Sequence, residues 1–272
     1  MKEPIYKFDR DMLHGEAIHI RKKHKSTSYK KHWHNYYEII CYENCKGTCE
    51  LNAECYPITG NCLFLLTPKD FHHIATEYRD DACSHIISFS EQIIDKAILD
   101  RLTKGPIVLY NVSQRMRAQI RVLYAVFCTN DLYRDRQLYH LFNSLLIDVL
   151  KEGKSLSTAS GDLHPFVRES ISCMLINPAM DFSLTFFAQR FGITATYFSH
   201  LFHEQTGIPF KRYLTTLRLE CAKRMLEDGQ LPIIDVGYEC GYGSPSQFAR
   251  SFQNAMGMSP SEYRNSRKLQ EE

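Results

Sequence analysis

The sequence predicts an α+β chain of two domains: an amino-terminal antiparallel β-barrel with a helical hairpin, then an all-α carboxy-terminal domain of two helix-turn-helix units. Three observations predict it. Short apolar runs punctuated by Gly, Pro and Asn recur between Ile18 and Phe89, two amphipathic helical faces follow between 113 and 152, and one motif is written twice between 187 and 263. At 272 residues and 44% hydrophobic composition there is material for two cores.

The runs at 36–41, 48–52, 62–67 and 84–89 have the length and residue types of strands in a small sandwich or barrel. After Phe89 the period becomes helical. Met116, Ile120, Leu123 and Phe127 share one face, and Leu138, Phe142, Leu145 and Val149 share another, giving two helices that pack on their own domain or on a second subunit. Residues 153–163, rich in Gly and Ser, read as a linker between a domain at 1–152 and one at 164–267.

In the repeat, the first copy supplies Phe187, Ala188, Phe191, Gly192, Thr194, Phe198, Phe202, Gly207 and Tyr213. The second supplies Val236, Gly237, Cys240, Gly241, Ser244, Phe248, Phe252, Gly257 and Tyr263. A small residue lets two helices cross closely, Gly takes the turn, Thr or Ser caps the next helix, and the Phe pair four apart buries one face. Ser244, Pro245 and Gln247 place the start of the second recognition helix at Ser244, and Ser259, Pro260 and Glu262 repeat the device one helix later. Between the copies, 209–226 reads as a connecting helix with Tyr213, Leu214, Leu217, Cys221, Ala222 and Met225 on its buried face, stopped by Asp228 and Gly229. At ~1.5 Å per residue it spans about 27 Å, suited to holding two recognition helices near the ~34 Å repeat of successive major grooves.

At this point the chain resembles the AraC family of bacterial transcription regulators, from about His164 to Arg267. The resemblance is carried by Arg218, Ala222 and Leu226 in the connecting helix, by Gly241, Tyr242, Phe248, Phe252 and Gly257, and by the ending Ser259-Pro260-Ser261-Glu262-Tyr263-Arg264. It implies seven helices, two helix-turn-helix units and contact with adjacent major grooves of double-stranded DNA. Gly237 departs from it, since the family more often has Ala there, at a cost of about 1 kcal/mol in a helix.

Outward positions of the recognition helices are the candidates for reading bases: Thr196 and His200 in the first, Ser246, Gln247 and Arg250 in the second. Gln247 has a rival role as capping partner of Ser244. Arg190, Lys211, Arg218 and Ser244 are the candidates for phosphate contact. From His164 to Glu272 the chain carries eleven Lys or Arg and eleven Asp or Glu, so DNA binding depends on local placement of charge and not on a basic domain.

His32, His34 and Glu38 have even spacing, which on one strand turns all three to the same side, and His72 follows on a later strand end. The set resembles the cupin signature, and the amino-terminal sensor of many AraC-type proteins is similar to it, which makes the predicted barrel cupin-like. N and O ligands in this pattern suit Fe, Mn or Zn. The cupin glycines are incomplete, however: Gly47 falls late and none stands between Pro68 and His72. The expectation is therefore a small organic effector, a sugar or glycoside by resemblance, bound by His32, His34, Glu38 and His72 with no metal or other cofactor. The ten cysteines include Cys41, Cys45, Cys49, Cys55 and Cys62 close together without a C-x-x-C pair, and read as small apolar residues of the barrel. A cupin metalloenzyme, or a metal or redox sensor, fused to a DNA-binding domain is the alternative.

Enzyme motifs fail on inspection. His203-Glu204 begins like a zinc-protease helix, but Gly207 stands where its second histidine belongs. The glycines at 237, 241 and 243 lack dinucleotide spacing. Residues 1–10 are charged without an apolar run, so no signal peptide is expected, and the apolar runs at 62–66 and 122–128 are too short to span a membrane. The expectation is a cytoplasmic, homodimeric, non-enzymatic transcription activator that binds DNA and a small effector, with no membrane partner.

Overall fold

The structure is a computed structural model and describes residues 5–7, 13, 16–25, 27–52, 54–68, 70–78, 81–102, 105–155 and 163–268. The chain divides into two compact units between Leu163 and His164.

Among the described residues the first unit is a nine-stranded sheet with three α-helices and a 3-10 turn at Glu91–Ile93. In chain order these are β1 (Ile5–Lys7), β2 (Ile18–Lys23), β3 (Thr27–His34), β4 (Tyr37–Leu51), β5 (Glu54–Leu66), β6 (His72–Glu77) and β7 (Cys83–Phe89). Then come α1 (Lys96–Leu102), β8 (Ile107–Tyr110), α2 (Gln114–Phe127), α3 (Arg134–Glu152) and β9 (Lys154–Ser155). The runs expected as separate strands at 36–41 and 48–52 are one strand, β4. Its first half, Tyr37 to Glu43, pairs with β7 and its second half, Lys46 to Leu51, pairs with β6, while β5 runs antiparallel along both. A bulge between Tyr42 and Cys45, with Asn44 at φ 55°, bends the strand where it changes partner, so its apolar pattern breaks without the strand ending.

Alternation along β4 sorts the core into two. Ile39 and Cys41 join Leu63, Leu65, Ile87 and Phe89 on the face covered by the helices, and Met116, Ile120, Leu123, Leu138, Phe142, Leu145 and Val149 pack against them as their spacing predicted. Ile40 and Tyr42 join Phe64, Ile74, Ile86 and Val108 on the other face, where the sheet encloses a core of its own. Ser113 caps α2 through Met116 N. Most of the expected linker, 156–162, lies outside the described residues. Its beginning is ordered differently: Gly153 closes α3 on Val149 O, and β9 pairs with Ile107 and Val108 of β8.

Seven helices form the second unit among the described residues: α4 (Pro165–Ile176), α5 (Leu184–Phe191), α6 (Ala195–Thr206), α7 (Phe210–Asp228), α8 (Ile233–Glu239), α9 (Pro245–Met256) and α10 (Pro260–Lys268). The two helix-turn-helix units close their turns identically. Gly192 at φ 68° and Gly241 at φ 81° take the left-handed conformation, and the next residues, Ile193 and Tyr242, donate back to Ala188 O and Gly237 O at 3.0 Å each. Thr194 and Ser244 cap α6 and α9 through Tyr197 N and Gln247 N. Phe187, Phe198, Phe202, Phe210 and Tyr213 pack as edge-on and tilted rings around the first helix-turn-helix. Val236, Phe248, Phe252 and Tyr263 form the second core against Leu219, Ala222 and Leu226.

The connecting helix α7 thus serves both cores and is buried on more than the one expected side, with Leu219, Glu220 and Lys223 enclosed as well. Gly237 is tight: a Cβ there would meet the Phe248 side chain at 3.0–3.1 Å, so its departure from Ala goes with the close crossing of α8 and α9. Among the described residues no helix is long and apolar enough to cross a membrane.

Candidate functional site

The α6 and α9 helices present their predicted reading residues to solvent. Thr196 and His200 are exposed and, with Ser199 and His203, line one groove. His200 Nδ1 stands 3.7 Å from Glu204 Oε2, an acid one turn on. On α9, Ser246, Gln247 and Arg250 are exposed and line a groove of about 620 Å³ together with Lys211, Arg218 and Ser244. Six of the nine expected DNA contacts therefore share one groove, and Leu184 borders both grooves. Thr215, Ser251 and Asn254 line it too and were missed. Helical spacing could have found Asn254, which stands one turn beyond Arg250.

Three of these residues have structural work as well. Gln247 Oε1 accepts from Gly243 N at 3.2 Å, so the capping role holds, one residue earlier than a standard capping box. Arg190, expected on phosphate, lines neither groove and pairs with Glu169, Nε to Oε1 at 2.7 Å. Arg218, also expected on phosphate, donates from Nε to Pro178 O and from Nη2 to Met180 O, both at 2.9 Å. It ties α7 to the loop between α4 and α5, the same loop whose Ala179 backbone lies against Gly241. Half-buried, it binds its own domain first, because two carbonyls match its fork.

In the first unit His32, His34, Glu38 and His72 come together, though not as predicted. Glu38 is not on the strand of His32 and His34; the chain bends at Asn35 and Tyr36, and Glu38 belongs to β4. Convergence is tertiary: two histidines from β3, one from β6 and the carboxylate from β4, all buried. His32 is opposite His72 in the β3–β6 register, with ring centroids 4.1 Å apart. Glu38 Oε2 lies 3.7 Å from His72 Nε2 and 3.9 Å from His34 Nε2. Burial opposes the Glu38 charge, but His72, His34 and Arg21 together hold its pKa far below the ordinary carboxylate value. Ser88 Oγ donates to Glu38 Oε1 at 3.3 Å, and Arg21 Nη2 lies 3.7 Å from the same oxygen. The even-odd register of β2 and β7 could have revealed both.

Beside Glu38 is a cavity of about 30 Å³, bordered by Arg21, Lys23, His32, Ile40, Ile74 and Tyr78, with room for roughly one or two waters. The fit to the metal that the cupin resemblance suggests is testable on the donors themselves. One ligand atom each from His34, Glu38 and His72 lie within 4.8 Å of one another. His34 Nδ1 is 2.8 Å from Tyr36 O, which can only accept, so Nδ1 carries a proton and Nε2, toward Glu38, is the nitrogen that would ligate an ion on giving up its own proton. That is how a metal-ligating histidine is held, and these three residues fit a divalent ion with N and O ligands. The cysteines are all free thiols; Cys41, Cys45, Cys49 and Cys62 are buried, whereas Cys55 is exposed and not part of the apolar core.

A β-barrel unit with a buried polar pocket, joined to a unit of two capped helix-turn-helix motifs, defines a ligand-responsive DNA-binding regulator. Comparison with known proteins supports both halves: an AraC-like ligand binding domain matches residues 14–160, and a helix-turn-helix domain matches residues 187–266. The chain belongs to the AraC family of transcription regulators. It is 21% identical over 264 residues to the HTH-type transcriptional activator RhaS of Escherichia coli, covering 92% of this chain and 93% of that one. Among solved structures, ToxT from Vibrio cholerae is similar over 91% of this chain and 97% of its own, at 19% identity and a TM-score of 0.46. The carboxy-terminal domain of AraT, a response regulator from Geobacillus stearothermophilus, is 31% identical over 39% of this chain and 88% of its own, with a TM-score of 0.37.

Proposed function

We propose that this regulator is a cytoplasmic, homodimeric transcription activator in which α6 and α9 read adjacent major grooves. Thr196, His200, Ser246 and Arg250 contact base edges, Gln247 does so with the part of its amide not used in capping, and Lys211 and Ser244 contact the backbone. The observation that carries the reading is the shared connecting helix: α7 packs into the cores of both helix-turn-helix motifs, so the two recognition helices are held as one body. Activation is supported by the name of the RhaS relative, and dimerisation by the exposed Val122 of α2 and Ile147 of α3 on the hairpin.

The effector binds among His32, His34, Glu38 and His72. A monosaccharide needs more room than the cavity beside Glu38 provides, so a sugar binds there only if Arg21, Tyr78 and their neighbours move apart. The residues fit a resident divalent ion too, since one ligand atom each from His34, Glu38 and His72 lie within 4.8 Å of one another. Non-enzymatic action is part of the same proposal. Hydroxyl-radical footprinting of the full chain on DNA upstream of its own and neighbouring genes tests the DNA reading. Protection of two adjacent major grooves on one DNA face is expected, and protection of one groove refutes it.

A further inference from the structure

Beyond the pocket around Glu38, β4 carries a second buried carboxylate, Glu43, on its helix-facing side. It is opposite Cys83 in the β4–β7 register, and His85 is two residues further along β7, so all three side chains share that side. One ligand atom from each lies within 4.8 Å of the others. His85 is 1% exposed, and its Nδ1 stands 3.7 Å from Glu43 Oε1 with no hydrogen-bond partner among the described residues. The α2 helix lays two arginines on the same carboxylate: Arg121 Nη2 at 2.5 Å and Arg117 Nη1 at 3.4 Å from Glu43 Oε2. The ring of Tyr124 meets His85 edge-on at 5.6 Å.

We propose that Glu43, Cys83 and His85 form a binding site for a divalent metal ion of the zinc class, taken up in exchange for the two arginines. Thiolate, imidazole nitrogen and carboxylate oxygen are the donors such an ion accepts, and water completes a four-coordinate shell. Three different donor types from adjacent strands converge where His85 Nδ1 has no hydrogen-bond partner among the described residues. Binding releases the Cys83 thiol proton and transfers Glu43 from Arg121 to the ion. The Arg121 side chain is 53% exposed, so it can turn to solvent when the ion takes its place on Glu43. Because Arg117 and Arg121 tie α2 to the sheet, metal occupancy and the attachment of α2 are thermodynamically linked. The inference is independent of the effector reading, since it concerns the opposite face of β4.

The test uses the full chain carrying Cys55→Ser and Cys128→Ser, which removes the two exposed thiols, stripped of metal by chelation and titrated with Co2+ and then Zn2+. One equivalent of Co2+ should produce a thiolate-to-metal charge-transfer band in the near ultraviolet, displaced by Zn2+. Cys83→Ser should abolish the band, and His85→Gln should weaken Zn2+ binding about tenfold or more. Arg121→Gln, which removes the competitor, should tighten it, and Glu38→Gln should leave the band intact. If a variant fails to fold, protection of Cys83 by Zn2+ against alkylation in the parent chain, read by mass spectrometry, decides the matter. A missing band, a band that survives Cys83→Ser, or alkylation of Cys83 indifferent to Zn2+ overturns the proposal.

Discussion

Glu38 and Glu43 stand on the same strand, β4, and bury their carboxylates on opposite sides of the sheet. An odd separation on a period-two strand requires this. A buried carboxylate without partners is costly, so each collects its own: His34, His72 and Arg21 around Glu38, and Arg117, Arg121 and His85 around Glu43. One strand thereby links the barrel pocket to the underside of α2.

Removing the second set should loosen the helical hairpin. In metal-free buffer Glu43→Gln is expected to destabilise the first unit by about 1–2 kcal/mol, less than a fully buried pair because Arg121 is half exposed. Urea unfolding with a Glu43–Arg121 double-mutant cycle measures it; a coupling indistinguishable from zero refutes the role assigned to this pair.

Arg218→Ala should act through the fold of the DNA-binding unit. Loss of its bonds to Pro178 O and Met180 O should cost about 1–3 kcal/mol of stability and lower affinity equally for operator and random DNA. Thermal melting and competition binding check both parts. Unchanged stability with weakened DNA binding would return Arg218 to the phosphate role.

Gly241→Ala is expected to be among the most damaging single-methyl changes in the chain. The residue sits at φ 81°, and its Cβ would overlap the Ala179 backbone, which cannot yield as a flexible side chain would. A loss of about 2–4 kcal/mol follows from the strain and the displaced loop together. A melting temperature equal to that of the parent chain contradicts this.

Arg250→Ala should relax preference at one base pair by about 1–3 kcal/mol while barely changing stability, since the side chain is exposed on α9. Binding to a library of operator variants reads the effect. Equal losses on every sequence would remove Arg250 as a base reader.

Glu38→Gln and His34→Ala should weaken the response to effector while leaving basal DNA affinity nearly unchanged, because both residues belong to the first compact unit. Chelation separates the two occupants the pocket fits. If the effector binds without an ion, its affinity survives chelation; one equivalent of tightly held metal, lost in both variants together with the response, establishes the metal instead.

Much of the DNA-binding unit was legible because its signals are local. Thr194, Ser244 and Ser259 cap the helices that follow them, Gly192 and Gly241 take left-handed turns, and the Phe pairs bury one helix face, all within a few residues of chain. Exposure of Thr196, His200, Ser246 and Arg250 followed from the same spacing. The faces of α2 and α3 were legible for that reason too.

Tertiary structure alone decided what depends on partners distant in sequence. Arg218 has a structural role that spacing could not show, because a loop 38–40 residues away presents two carbonyls to it. The two runs around Asn44 became one strand because β6 and β7 pair with its successive halves, which keeps the backbone hydrogen-bonded across the bulge. Glu38 reached His34 and His72 by strand pairing and not by even spacing on one strand, and Glu43 met Cys83 and His85 the same way. Spacing along the chain determines which way a side chain points; strand register and helix packing determine what it meets.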